Sequence, residues 1–195
     1  REYTLLVNEQ PTRVKVPLKK RAIHLRLWKY FVYSFDKKNV IPLILLDSNI
    51  DENNDADKKL TDQLYRSDNA EWKALQRILL GMGGMKAMEK LGYPIHLFHM
   101  NEGHAALAFI EKAKKTSASQ TGDLKKHFAY TCHTPVSAGH DRFQKKLLEE
   151  ILPDEDWTLL KKFGQDPVHP DLINLTELAM NTSGFVNAVA KKHGE

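Results

Sequence analysis

Cysteine is almost missing from this 195-residue chain: one residue, Cys132, excludes an internal disulfide framework. That scarcity fits a reducing compartment, so a cytoplasmic location is expected. No apolar run approaches the roughly 20 residues needed to span a bilayer. The opening Arg1-Glu2-Tyr3-Thr4 has no signal-peptide hydrophobic region, and no membrane partner is expected. Neither sign of charge dominates, since 29 Lys and Arg against 25 Asp and Glu leave a formal charge of +4. The lysines come as scattered pairs such as Lys37-Lys38, Lys125-Lys126 and Lys161-Lys162, which read as solvated faces; no nucleic-acid partner is expected. There is no internal repeat. What remains is a soluble globular composition, 42% apolar and 28% charged, long enough for one domain with a proper core. The chain starts without methionine and stops at His193-Gly194-Glu195, and is expected to be a piece of a longer protein.

The first third is β-biased. Tyr3 to Val7, Thr12 to Val16, Ile23 to Tyr33 and Val40 to Leu46 carry alternating or continuous apolar residues broken by turn formers. They predict antiparallel hairpins feeding a more buried strand over Pro42 to Leu46. Asp47-x-Asn49-x-Asp51 has the start of a calcium-loop spacing, but Glu52 replaces the required glycine and Lys58 the closing glutamate. Residues 47–59 are therefore read as a surface loop. Asp68 and Glu71 predict a helix start, with Trp72, Leu75, Leu79, Met82 and Met88 on its apolar stripe and Gly92 and Pro94 closing it. Gly81, Gly83 and Gly84 fall in mid-helix, which favours close packing over a phosphate loop.

Further on, the pattern predicts strand 95–100, helix 103–113, a polar linker 114–126, strand 127–132, helix 142–151 and a last helix from Asp171 through Val189. That alternation predicts an α/β fold, a Rossmann-like parallel sheet with flanking helices, preceded by a β-rich segment. A boundary near residue 66 separates segment 1–66, packed on the sheet, from the α/β unit 67–195. Two polar motifs stand at the two predicted strand ends, where parallel sheets bind ligands. One is His99-Met100-Asn101-Glu102-Gly103-His104-Ala105. The other is Thr131-Cys132-His133-Thr134-Pro135-Val136-Ser137-Ala138-Gly139-His140-Asp141-Arg142-Phe143.

These two motifs resemble segments of the α-glucan phosphorylases (glycogen and starch phosphorylase), in particular their shorter bacterial and archaeal branch. Asn174-Leu175-Thr176-Glu177-Leu178-Ala179, Val186-Asn187 and His193-Gly194-Glu195 continue the resemblance. Leu45-Leu46-Asp47, Leu60 to Tyr65 and Gln76 to Gly84 extend it upstream. The resemblance implies the amino-terminal half of a GT-B fold, two Rossmann-like domains facing across a cleft. It implies phosphorolysis of terminal α-1,4-glucosyl units to glucose 1-phosphate, with an α-1,4-glucan and phosphate as partners. Pyridoxal phosphate is implied on a lysine of the missing carboxy-terminal domain, outside this chain. No cofactor is expected on this piece, which should not catalyse alone. Homo-oligomer formation is left open.

By the same resemblance His133 contacts the glucosyl unit, where a neutral imidazole can hydrogen-bond a hydroxyl; its bland alternative is a loop cap before Pro135. Asn187 would bind the same sugar, and Asn101, Glu102 and His104 would line the pocket. His140 and Asp141 would hold the loop after His133 from behind. Two departures stand out: Arg77 occupies a position where the family usually has glutamate, and Ala188 one where it usually has glycine. No metal is expected. His99, Glu102 and His104 form a tempting cluster for a metal-dependent hydrolase, but the histidines are five apart with a glycine between, unlike the i, i+4 metalloprotease pattern. Cys132 at an apolar strand end reads as a small buried residue rather than a nucleophile. The alternative function is a non-catalytic glucan-binding module without a cofactor domain.

Overall fold

Alternation over residues 13–33 builds an antiparallel sheet with one face inside. Strand β2 (Arg13–Pro17) pairs with the long β3 (Ala22–Tyr33), so that Val14, Val16, Ile23, Leu25 and Leu27 all turn inward. The short β1 (Glu2–Thr4) extends that side of β3, and β4 (Val40–Asp47) pairs along the other. The computed structural model of the chain describes residues 2–4, 6–7, 10–64, 66, 68–116, 121–136 and 139–190. Tyr65, the centre of the 114–126 linker, the Ser137-Ala138 step and Lys191 to Glu195, with the His193-Gly194-Glu195 motif, lie outside the described residues. No helix among the described residues is long and apolar enough to cross a membrane.

The expected burial of Pro42 to Leu46 does not hold. Ile41 is 68% and Leu43 45% exposed, because β4 pairs only with β3 and its outer face has no covering layer among the described residues. The loop after it departs in the opposite sense. Ser48, Ile50, Asn53 and Asp57 are buried, and Asn53 exchanges hydrogen bonds with the His24 backbone at 2.9 and 2.7 Å. Asp47 is spent on Trp28 Nε1 at 2.8 Å and Arg26.

Helix α1 (Ala70–Ile78) begins one residue later than expected. Asn69 is its cap, accepting the Trp72 N–H at 3.0 Å, while Asp68 pairs with Arg66. A π-helical turn, Leu79–Gly83, joins it to α2 (Gly84–Leu91), which ends on Gly92 in the left-handed region at φ 67°. Close packing explains two of the three glycines. A Cβ on Gly81 would lie 2.8 Å from Ala108 N, and one on Gly83 2.7 Å from Leu25 Cδ1, whereas Gly84 faces open space.

A parallel sheet follows, with three strands where two were expected. Strand β5 (Phe98–Asn101) and strand β9 (Phe185–Ala188) flank β6 (Phe128–Cys132), and all three run the same way. Residues 95–97 are outside β5, and a short 3₁₀ turn, Gly103–Ala105, precedes α3 (Leu107–Ala113).

The region after β6 differs most from expectation. Arg142–Gln144 opens no helix but forms β7, antiparallel to β8 (Leu172–Asn174), and α4 occupies Lys145–Ile151. Pro153 precedes an unanticipated helix, α5 (Asp154–Gly164), whose first turn holds Asp154, Glu155 and Asp156 in favour with the helix dipole. The last helix, α6 (Leu175–Thr182), stops early. Gly184 donates to Lys125 O at 2.7 Å and Phe128 O at 3.0 Å, and a Cβ there would sit 2.9 Å from that Lys125 oxygen. The chain thus turns into β9, and Phe185 and Val186 are exposed strand residues rather than a helix stripe. One apolar core runs through both sheets and includes Leu25, Ile78, Phe109, Tyr130 and Leu178.

Candidate functional site

The carboxyl ends of the three parallel strands form one edge. Asn101, Thr131 and Asn187 stand in register across it, so Glu102, Cys132 and Ala188 are the next positions, and His133 follows one residue beyond the end of β6. A histidine just past β6 must leave the ladder, and His133 is exposed there. Its backbone N–H donates to Glu102 Oε1 at 2.8 Å, and the Glu102 N–H donates to Thr131 O at 3.1 Å. Glu102 is 7% exposed and holds φ 61°, ψ 175°, a region left almost entirely to glycine, at a cost of about 1–3 kcal/mol. Gly103 beside it is dictated by close approach, since a Cβ would come within 2.9 Å of the Leu175 backbone.

A second feature crosses all three strands. His99 Nε2 lies 2.7 Å from Thr131 Oγ1, which donates to Asn187 Oδ1 at 2.6 Å. Because the threonine proton goes to Asn187, His99 Nε2 is the donor to Thr131. Asn187 is therefore anchored through its carbonyl, on a strand instead of a helix, with its amide N–H groups free of that bond. Thr131 went unnoticed in the motif; its signal was its place one residue before the strand end.

Behind the edge lies a buried charge cluster. Asp141 is 5% exposed and takes Arg77 Nε at 2.5 Å and Lys73 Nζ at 2.6 Å, one on each carboxylate oxygen. Burial opposes its charge, yet those two cations hold its carboxyl below the usual carboxylate range. His104 Nε2 stands 3.9 Å from the same carboxylate. Its imidazole is pushed below the ordinary histidine value, first by burial and then by Arg77, against the pull of Asp141 and Glu102. His140 shares a hydrogen bond with Thr176 Oγ1 at 2.8 Å, and the Asp141 carbonyl accepts the Leu175 N–H at 2.9 Å. The 133–141 loop is thereby tied to α1 and α6. Arg77 is buried, so its departure from the family pattern is no surface change. Lys73 was missed, for nothing in the sequence links α1 to a loop so far along the chain.

His99, Glu102 and His104 serve three different partners, and no group of three metal-ligating side chains comes together among the described residues. Pyridoxal phosphate needs an uncharged lysine amine for its imine. The lysine in this cluster, Lys73, is committed as an ammonium to Asp141, so the residues at this edge do not fit that cofactor. Cys132 is half-buried, its Sγ 3.4 Å from Thr134 O. A shallow cavity of about 610 Å³ is lined by Thr158, Lys161, Lys162 and Gln165, none of them a predicted site residue.

The chain is 32% identical over 200 residues to a maltodextrin phosphorylase of Thermococcus litoralis, covering 95% of this chain. A glycogen phosphorylase of Mycobacterium tuberculosis is 32% identical over 212 residues, and one of Aquifex aeolicus 28% identical over 213. The chain resembles part of a phosphorylase. It spans 22%, 24% and 31% of these three relatives' lengths, so the phosphorylase resemblance concerns a portion of each. The resemblance covers 95% and 96% of this chain in the first two. No protein-family model matches the chain.

Proposed function

We propose that this chain supplies the sugar-binding side of an α-1,4-glucan phosphorylase cleft, which releases terminal glucosyl units to phosphate as glucose 1-phosphate. The observation that carries it is the shared edge: His133, Asn187, Asn101 and Glu102 come from three strands and meet at the carboxyl end of one parallel sheet. The similarity to maltodextrin and glycogen phosphorylases over nearly the whole chain supports the same reading. In it, residues 67–195 form part of the first Rossmann-like domain of a GT-B pair, and residues 1–66 pack against it as a β-rich segment.

His133 is the catalytic-side contact with the glucosyl unit, where a neutral imidazole hydrogen-bonds a hydroxyl without placing a full charge beside developing positive charge on the sugar. Asn187 offers its amide N–H groups to the same sugar, and Asn101 and His104 line its surroundings. His140 and Asp141 secure the loop. Pyridoxal phosphate belongs, in this reading, to a portion of the phosphorylase outside these 195 residues, as do the phosphate contacts. The setting is cytoplasmic.

The test is a titration of the chain with maltotriose, read by NMR, beside phosphorolysis by a longer polypeptide carrying a cofactor domain. Shifts confined to the strand-end residues, lost in His133→Ala with folding unchanged, support the sugar side of the cleft. Sugar binding with no glucose 1-phosphate formed by the longer polypeptide supports the glucan-binding module instead. No binding at this edge overturns the reading.

A further inference from the structure

Glu102 occupies a backbone conformation that glycine would adopt freely, one position before a residue that is glycine. A side chain retained under that strain has a use that its absence would forfeit. The visible use is a hydrogen bond. Glu102 Oε1 accepts the His133 N–H at 2.8 Å, the first amide of β6 to run past its ladder, while the Glu102 N–H returns a bond to Thr131 O at 3.1 Å. The two bonds make a reciprocal lock between the ends of β5 and β6. On its other side, Gly103 is pressed against the Leu175–Thr176 backbone at the start of α6, so Glu102 cannot relax in that direction without an opening there. Its carboxylate is buried and turned along the strand ends, with His133 as the exposed member of the pair.

We propose that Glu102 is the positioning residue of His133: its carboxylate fixes the His133 peptide plane, and it acts on a bound sugar through that histidine rather than as a sugar ligand. This rests on the reading of His133 as the glucosyl contact. A charge-assisted acceptor is stronger and shorter than a neutral one, which suits an exposed loop residue that must be held from its backbone alone. The far end of the same loop is secured independently, through Asp141 to Arg77 and Lys73.

The experiment uses the isotope-labelled 195-residue chain and three variants, Glu102→Gln, Glu102→Ala and Glu102→Gly. The His133 amide is expected downfield and protected from exchange in the wild type. Glutamine, which keeps an acceptor, retains most of that protection, whereas alanine and glycine lose it by about tenfold or more. Glu102→Gly, freed of the strain, melts above Glu102→Ala, and it reports on His133 even if the alanine variant unfolds. Maltotriose affinity follows the amide: weakened in the alanine and glycine variants, restored by glutamine. A His133 amide unchanged in Glu102→Gly, or unprotected in Glu102→Gln, overturns the positioning role. So does a loss of maltotriose affinity in the glutamine variant with the amide intact, which makes Glu102 a direct sugar ligand. If the wild-type chain binds no maltotriose, the sugar-site reading fails, and the amide measurement still decides whether Glu102 holds His133.

Discussion

Arg77 and Asp141, 64 residues apart in sequence, meet through a 2.5 Å bond inside the protein, where neither is more than 7% exposed. Asp141 ends the loop that begins with His133, so a helix from the middle of the chain grips the far end of the loop that carries the candidate sugar contact. Its other carboxylate oxygen is held by Lys73, one helical turn before Arg77 on the same face of α1. Such a pair contributes little relative to an apolar substitute for both partners, but losing one cation leaves a buried carboxylate with half of its compensation.

With Lys73 still on Asp141, Arg77→Met is expected to destabilise the chain by about 1.5–3 kcal/mol, the loss of one charge-assisted hydrogen bond. The acid limb checks the same contact. Asp141 has a folded-state value below its unfolded one, so its stabilisation is complete above about pH 4 and disappears as pH falls through the lower folded value. Urea denaturation between pH 2 and 6 should show a shallower acid loss in Asp141→Asn than in the wild type. Equal slopes would remove the cluster from the account of acid stability.

Two helical glycines should respond in opposite directions to alanine. Gly81→Ala places a methyl 2.8 Å from Ala108 N and Leu107 Cβ, a backbone clash expected to cost about 1–3 kcal/mol. Gly84→Ala meets nothing within 4 Å in a helical conformation and should stabilise by about 0.5–1 kcal/mol. Thermal melts of the two variants decide it; the same sign for both would contradict the packing of α1–α2 against α3.

Lys114 is the shared cation of two buried carboxylates on α3 and α5. Its Nζ lies 2.7 Å from Glu111 Oε2 and 2.9 Å from Asp156 Oδ1, although neither oxygen gains a well-directed hydrogen bond. Burial lifts the Asp156 carboxyl above its ordinary value in spite of Lys114. Lys114→Met should cost about 3 kcal/mol, since Lys86 still serves Glu111 but no other cation among the described residues pairs with Asp156. Much of that loss should return in Lys114→Met/Asp156→Leu, measured by chemical denaturation.

Elements with strong local signals were legible in advance. Val14 to Leu27 alternate with a period of two, and Trp72 to Met88 recur with the helical period, so strand and helix follow from side-chain geometry alone. Phe128 to Cys132 was a strand by composition. Failures cluster where local preference was weak and distant partners decided. Arg142-Phe143-Gln144 has no strand pattern of its own and becomes β7 because Leu172–Asn174 lies beside it. Phe185 and Val186 match a helix stripe equally well until Gly184 meets the Lys125 carbonyl and the chain turns.

The candidate site divides along the same line. His133, Glu102 and His104 were visible as polar residues at apolar strand ends, a property of short stretches of chain, whereas Asn187 came only from the family resemblance, in a stretch that reads as helix. That β9 lies parallel beside β6, putting Asn187 level with Thr131, was invisible, because strand pairing is chosen by contacts between residues more than 50 positions apart. What this sequence determined by itself was local: the periodicities, the punctuation and the chemical identity of the strand-end motifs. Only the tertiary structure decided which ends share an edge, that Glu102 spends its carboxylate on a backbone N–H, and that Arg77 is buried against Asp141. Periodicity is set by neighbours a few residues away, whereas burial and ion pairing depend on which distant segments exclude water together.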